Sequence, residues 1–322
     1  MLHLFLSLVV ILSTCILGCQ DSAADSVKQP PQLRIVTTYR PATHFIMALG
    51  QGQNLVGVQN MAGQIPLFVE LSPRISELPS VGSKMGGINV ESILAQAPDW
   101  VVLFPSASNQ KLQEQLQPFG IKTYFLNIEQ VASISATLSE LGNLLDAREQ
   151  AQIAVAEFQR ILNLVQTRVN AAAQRKRVYF AAGQNFLISH SQAMLQHEMI
   201  LCAGAQDVVA QVHGGWTAIS IEQLLLWDPD IAVISGSSSY TIEQVLQNPQ
   251  FQALRVVQNK QIYEMPHDKI ISWDYPGPDI VLGILWLANL AYPDLFTDID
   301  VKKEITTYYL TIYNLDVSKA ME

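Results

Sequence analysis

Several signatures of well-known protein classes are missing from this sequence. It has three cysteines, no extended run of basic residues, and 28 acidic against 19 basic residues in 322. The net charge of −9 disfavours a nucleic-acid partner, which would require a basic patch to displace counterions. A Gly-x-Ser-x-Gly elbow, a phosphate-binding loop, a Rossmann glycine fingerprint and a His-Glu-x-x-His motif are also lacking. We therefore expect no catalysis and no cofactor.

Long apolar runs are scarce, and one of them opens the chain. Residues 4–17 form a stretch of roughly fourteen apolar positions, shorter than the roughly 20 residues of a membrane span and typical of a signal-peptide core. The stretch leads into Ile16-Leu17-Gly18-Cys19, which looks like a bacterial lipobox. We predict a signal peptide over 1–18, lipid on Cys19 and a polar tether over 19–32. The alternatives to a lipobox are an ordinary signal peptide with an incidental cysteine and an uncleaved anchor.

An internal repeat is the most informative feature of the sequence. Residues 88–103 read INVESILAQAPDWVVL, and residues 219–234 read ISIEQLLLWDPDIAVI. Glu91 precedes one Pro-Asp pair by the same interval as Glu222 precedes the other. Each copy reads as a short helix, a turn and an apolar strand of the kind found inside parallel sheets. The repeat predicts two similar α/β lobes.

The segment between the two copies predicts how the lobes are joined. Residues 146–174 contain no Gly or Pro and keep apolar residues at helical spacing, which indicates one helix roughly 40 Å long. We therefore predict an α/β fold of two doubly wound lobes with parallel-rich sheets, over 33–145 and 175–322, joined by one long interlobe α-helix. A single helix is a stiff hinge, so large closure is not expected.

This organisation resembles the helical-backbone class of periplasmic binding proteins, which serve ABC importers of iron-siderophore, haem, cobalamin and some oxyanions. The resemblance rests on Val81-Gly82 through Glu91, on Ala97-Pro98-Asp99 and on Trp216 through Glu222. In that family one glutamate on each lobe meets arginines of the permease, and Glu91 and Glu222 match those positions. The resemblance implies docking on a permease dimer and its ATPase. A matched pair of carboxylates also suits a twofold partner, although a solvated helix-face glutamate is the alternative.

Ligands of open α/β sheets bind beyond the carboxyl ends of the strands, which nominates loops of both lobes. The candidates are Tyr39, Arg40, Lys84 and Met85 in the first lobe, and Phe186, His213, Trp216, Tyr240, His267, Trp273 and Asp274 in the second. Among them, Arg40 and Lys84 are the cations that could face an anion. The two histidines could coordinate a metal centre left unsaturated by its chelator, or be ordinary loop histidines.

Two tryptophans are predicted to contact the ligand. Trp216 follows Gly214-Gly215, which lets the loop present an indole for stacking. Trp273 opens Trp-Asp-Tyr-Pro-Gly-Pro, a rigid turn predicted to hold Trp273 and Asp274 at a loop tip. That segment resembles one found in iron-complex and molybdate or tungstate binders of the family. Packing at a lobe edge and turn rigidity are the alternatives.

Together these features predict a membrane-anchored lipoprotein of the periplasm or cell surface. It would bind an iron(III)-siderophore-type metal chelate between its lobes and deliver it to the permease. A molybdate or tungstate oxyanion, a corrinoid and haem remain open as ligands, because one fold carries all of them. An enzyme and a lipoprotein scaffold are the competing classes.

Overall fold

The computed structural model describes residues 32–84, 86–267 and 272–318. Contacts divide the chain after Gln32, and the unit Leu33–Glu322 is described below. The predicted signal peptide, the lipidation site Cys19, the tether up to residue 31 and the candidate Met85 lie outside the described residues.

The first lobe is built on a sheet of four parallel strands, which lie in the order β2 (Leu55–Gly57), β1 (Ile35–Thr37), β5 (Trp100–Leu103) and β6 (Lys122–Phe125). Apolar residues alternate between its two faces: Ile35 and Val102 enter one core, whereas Val36 and Val101 enter another. Its elements in chain order are β1 (Ile35–Thr37), α1 (Arg40–Ala48), β2 (Leu55–Gly57), α2 (Pro66–Leu71), β3 (Gly82–Ser83), β4 (Gly87–Ile88), α3 (Val90–Ala95), β5 (Trp100–Leu103), α4 (Ala107–Leu116), β6 (Lys122–Phe125) and α5 (Val131–Leu144).

A long helix, α6 (Arg148–Val169), follows the first lobe. It is shorter at both ends than the predicted 146–174, about 33 Å at 1.5 Å per residue. Asp146 has φ 55°, a left-handed conformation that separates α5 from α6. At the other end, the N–H groups of Ala171 and Ala172 bond three residues back, which tightens and ends the helix.

The second lobe contains a mixed sheet, whose strands lie in the order β10 (Thr217–Ala218), β8 (Ile188–Ser189), β7 (Arg177–Ala181), β11 (Ile231–Ile234) and β12 (Ile262–Glu264), with β9 (Gln206–Asp207) also paired to β7. The strands β7, β9, β11 and β12 are parallel, whereas β8 and β10 run antiparallel to their neighbours. Its elements in chain order are β7 (Arg177–Ala181), β8 (Ile188–Ser189), α7 (Leu195–Cys202), β9 (Gln206–Asp207), β10 (Thr217–Ala218), α8 (Ile221–Trp227), β11 (Ile231–Ile234), α9 (Ile242–Gln247), α10 (Arg255–Gln258), β12 (Ile262–Glu264), α11 (Ile280–Ala291) and α12 (Val301–Tyr313). The predicted terminal helix 301–313 is confirmed.

The Pro-Asp turns of the repeat have the same geometry in both lobes. Asp99 accepts a hydrogen bond from the backbone N–H of Arg34 at 2.8 Å, and Asp230 accepts one from Arg177 at 2.9 Å. Each carboxylate thereby ties the strand that follows it to the start of its parallel neighbour. The helices before the turns are matched as well, since Asn89 caps α3 and Ser220 caps α8 in the same way. The predicted repeat is therefore a repeat of structure.

A buried cluster, here called the polar joint, connects the two lobes through His44 of α1, Asp279, and Tyr309 and Tyr313 of α12. Tyr309 and Tyr313 donate to the two oxygens of Asp279 at 2.7 and 2.6 Å. The His44 Nε2 atom lies 2.8 Å from the Tyr313 hydroxyl and 3.3 Å from Asp279. Burial, reinforced by Asp279, raises the pKa of both tyrosines, so they remain donors.

Candidate ligand-binding cleft

The two lobes contact each other through Arg40, which follows β1, and Tyr275, which lies in the segment after β12. Arg40 follows β1 and opens α1, and its guanidinium carbon lies 4.2 Å from the centroid of the Tyr275 ring. Arg40 is half-buried, and it forms no hydrogen bond or ion pair with another described residue. A cation held against an aromatic face keeps its N–H donors available to an anion. This contact makes Arg40 and Tyr275 the strongest candidates for ligand binding in the cleft.

A second cation lies on the first-lobe side of the cleft. The Lys84 ammonium is 3.3 Å from the centroid of the Phe104 ring, which follows β5. Desolvation lowers the pKa of Lys84, and the carboxylate of Glu129 opposes this effect. Tyr39 packs edge-on against the same Phe104 ring, with centroids 5.7 Å apart. Its hydroxyl donates to the carbonyl of Leu126 at 2.6 Å, so Tyr39 supports the ring rather than offering a free hydroxyl.

A pocket of about 290 Å³ opens beside Lys84, between the β3–β4 hairpin and the start of α4. Phe104 and Ser106 line it, and Ser106 accepts from the N–H of Asn109 as the cap of α4. The N-terminus of a ten-residue helix and a lysine both favour negative charge at this place. The pocket could therefore hold an anionic group.

The second-lobe side of the cleft is organised around a buried carboxylate. Asp274 accepts hydrogen bonds from the hydroxyls of Ser235 and Ser272, and its backbone carbonyl accepts from Gln196 at 2.9 Å. Burial raises the pKa of Asp274, while these hydroxyls and Arg40 work in the opposite direction. Asp274 is 3 % exposed. Its hydrogen bonds hold in place the loop that presents Tyr275.

The structure contradicts the prediction of an exposed loop tip at Trp273 and Asp274. Trp273 is fully buried, with 0 % exposure, and its indole N–H donates to Tyr309 of α12 at 3.0 Å. Helix α12 covers this turn. Phe186 is likewise 1 % exposed, because it packs against Tyr179 at 5.5 Å between ring centroids. None of these three side chains offers a surface to a ligand in this structure.

The remaining predicted residues occupy loops of the second lobe. His213 is exposed and accepts from the Gln192 amide at 2.8 Å, and Trp216 nearby in sequence is 48 % exposed. His267 is half-buried, with Nδ1 3.7 Å from Glu264. Tyr240 is half-buried, and its hydroxyl has no hydrogen-bond partner among the described residues. Trp216 and these polar groups remain candidates for ligand contact.

Sequence reasoning missed two aromatic residues of the cleft. The Phe104 ring packs against Lys84, and the Tyr275 ring packs against Arg40. Neither aromatic residue was among the predicted ligand-binding residues. Both could have been found, because Phe104 directly follows an apolar strand and Tyr275 follows Asp274 in the Trp-Asp-Tyr-Pro-Gly-Pro segment. What the sequence did not show was that a cation would lie over each ring.

The two repeated glutamates lie on exposed helix faces. Glu91 and Glu222 occupy the second position of α3 and α8, and neither forms an ion pair with another described residue. Leu225 and Leu226 share the face of Glu222 at i+3 and i+4 and are 40 % and 77 % exposed. On α3 the half-buried Leu94 occupies the position equivalent to Leu225. A carboxylate beside exposed apolar side chains is typical of a contact surface.

Comparison with known proteins agrees with this architecture. The family model described as periplasmic binding protein matches residues 35–269. The chain belongs to the periplasmic binding protein family. The molybdate-binding protein MolA of Haemophilus influenzae is 22 % identical over 303 residues, which cover 87 % of this chain and 86 % of the relative. A vitamin B12-binding protein of Pectobacterium carotovorum subsp. carotovorum is 30 % identical over 205 residues, covering 63 % of this chain and 71 % of the relative.

Solved structures show the same two-lobed fold. A periplasmic solute-binding protein from Veillonella parvula superposes with a TM-score of 0.79 at 21 % identity, covering 89 % of both chains. This periplasmic binding protein therefore has the predicted α/β fold, and its relatives are solute-binding components of ABC importers. Among the described residues, no helix is both long enough and apolar enough to cross a membrane.

Proposed function

We propose that this periplasmic binding protein delivers an anionic metal chelate of the iron(III)-siderophore type to its importer. The observation that carries the proposal is the Arg40 guanidinium over the Tyr275 ring, at the place where the two lobes meet. An anionic chelate with a flat or bulky organic shell needs both a positive charge and an apolar surface. Arg40 with Tyr275, and Lys84 with Phe104, supply both at two places in the cleft.

A molybdate-type oxyanion is the second candidate. The relatedness to MolA extends over most of both chains, and the pocket beside Lys84 has one cation and one helix N-terminus for a small anion. A corrinoid is supported only by the vitamin B12-binding relative. The three ligands differ in size and charge, which makes them separable by direct binding.

The test is a binding panel on the purified protein. We expect tryptophan fluorescence to change on titration with an iron(III) tris-catecholate complex, because Trp216 is half exposed on the second lobe. Molybdate, cyanocobalamin and iron-free catecholate are titrated in parallel. Saturable binding of molybdate alone would replace the chelate with the oxyanion, and binding of cyanocobalamin alone would replace it with the corrinoid. Turnover of a bound compound would contradict the transport role.

We further propose that Glu91 and Glu222 dock the protein on its permease. Their equivalent positions in the two lobes match a partner with twofold symmetry, whereas one ligand held between the lobes has no need of the same carboxylate twice. The exposed leucines beside Glu222 add apolar area to that surface. Rim charges of this kind chiefly steer and orient the encounter.

The third element of the proposal is a lipid anchor on Cys19. Replacing Cys19 with Ala is expected to move the protein from the membrane fraction to the soluble fraction, because the acylated thiol would be lost. Fractionation followed by immunoblotting measures this, with Cys202→Ala as the matched control that keeps the lipobox. Unchanged membrane association of the Cys19→Ala protein would contradict lipidation.

A further inference from the structure

A cluster of metal-binding side chains lies in the second lobe outside the cleft residues described above. It consists of His190 directly after β8, His197 on α7 and Asp207 in β9. One nitrogen of each ring and one carboxylate oxygen all lie within 4.8 Å of one another. His190 Nε2 is 2.9 Å and His197 Nδ1 is 2.6 Å from the same oxygen, Oδ2 of Asp207. Three separate elements therefore converge on one point.

The cluster is held in place by its surroundings. Asp207 is buried, and its other oxygen, Oδ1, accepts the backbone N–H of Val209 at 3.0 Å. The buried ring of His190 packs edge-on against Phe180, with centroids 5.9 Å apart. These contacts hold the carboxylate of Asp207 and the imidazole of His190 in position.

We propose that His190, His197 and Asp207 bind a divalent transition-metal ion of the zinc class as a site of this protein, separate from the transported ligand. Two imidazoles and a carboxylate are donors that such ions prefer. Ligand atoms around a tetrahedral zinc ion lie about 3.3 Å apart, so the observed spacing requires only a small outward movement. The two neutral rings would each keep one proton, on the nitrogen that faces away from the metal, and the carboxylate would supply the negative charge.

The partial exposure of His197 gives the ion a path of entry. Its side chain is 18 % exposed, whereas those of His190 and Asp207 are fully buried. The nitrogen that His190 would leave protonated, Nδ1, faces the hydroxyl of Ser189 at 3.4 Å. A solvent molecule can complete the coordination on the exposed side, as is usual for sites with three protein ligands.

The position of α7 gives this site a structural consequence. Next to His197 in sequence, Glu198 accepts the backbone N–H of Val131 in the first lobe at 2.6 Å, and Gln196 donates to the carbonyl of Asp274. Helix α7 therefore contacts both the first lobe and the loop of Asp274. Metal binding at His197 would fix this helix to β9, at the edge of the second sheet. The ion would stabilise the protein by binding the folded state alone.

The experiment uses the protein freed of metal with a chelator and titrated with zinc chloride by calorimetry. We expect one equivalent to bind, and we expect His197→Ala and Asp207→Asn to weaken binding by at least about tenfold, because each removes a donor or its charge. Glu114→Gln is the matched control, since that carboxylate on α4 is exposed and outside the cluster. Arg40→Ala should also bind zinc normally, which separates this site from the ligand cleft.

Cobalt(II) gives a second reading of the same site. We expect visible absorption of four-coordinate cobalt in the wild-type protein and its loss in His197→Ala, together with a metal-dependent rise in Tm that the variant lacks. His197 is partly exposed, so its substitution tests the site even if Asp207→Asn does not fold. Absence of zinc binding in the wild type, or unchanged affinity in both cluster variants, would overturn the assignment.

Discussion

Charge reversal at both repeated glutamates, Glu91→Lys with Glu222→Lys, is expected to reduce ligand uptake on the order of 100-fold, because steering across complementary charges is replaced by repulsion. Both side chains are exposed, and neither lines the pocket beside Lys84 or touches the Arg40–Tyr275 pair, so ligand affinity should stay nearly unchanged. Each single reversal should cause a partial loss that is larger at low salt, where exposed charges are least screened. Uptake and ligand-stimulated ATPase activity with the reconstituted importer measure the effect.

The matched control is Glu243→Lys. Glu243 is exposed and holds the second position of α9, as Glu91 and Glu222 do on their helices, so the reversal has the same cost against the helix dipole. We expect this control to support normal uptake. A double variant that transports normally, or whose defect is fully explained by weaker ligand binding, would refute docking through these residues.

Removal of the two cleft cations is expected to have the largest effect on ligand affinity. A hydrogen bond to a charged group contributes about 1.5–3 kcal/mol, so Arg40→Ala and Lys84→Ala should each weaken binding of an anionic ligand by about 10- to 100-fold. The double variant should lose on the order of 1000-fold if the two contributions add. Titration calorimetry or fluorescence with the ligand found in the panel measures these affinities.

Lys122→Ala provides the control for this experiment. The Lys122 ammonium lies 5.3 Å from the centroid of the Trp100 ring, so it forms a lysine–aromatic pair at the amino end of the same parallel strands. That end is opposite to the cleft, and we expect wild-type affinity. An unchanged affinity in the double cleft variant would contradict the cleft, and an equal loss in Lys122→Ala would indicate only a change in net charge.

The fold was predictable from the sequence where local spacing determines geometry. The two copies of the Glu and Pro-Asp pattern predicted two lobes, and the structure explains why: Asp99 and Asp230 each tie adjacent strands together. Helix α12 was predicted because its apolar residues recur at helical spacing. The ends of α6 were missed, because the left-handed Asp146 carries no distinctive sequence signal.

The candidate site was less predictable, because its exposure depends on distant parts of the chain. The sequence places Trp273 at a loop tip, and only the position of Tyr309, 36 residues later, shows that α12 covers it. The cluster of His190, His197 and Asp207 matches no fixed spacing, since two-residue strands bring its members together. The sequence shows only that a residue is aromatic, which favours packing. The tertiary contacts determine whether its ring is accessible to a ligand.

The polar joint has a consequence for how long the native state survives. His44 and Tyr313 are 269 residues apart in sequence, so their contact closes a very long loop, and we expect it to form late in folding. Interactions made after the transition state slow unfolding more than they accelerate folding. The joint should therefore act on the lifetime of the folded protein, the quantity that governs irreversible inactivation. Tyr309 and Tyr313 of α12 would thus slow the unfolding step in which the first lobe separates from the second.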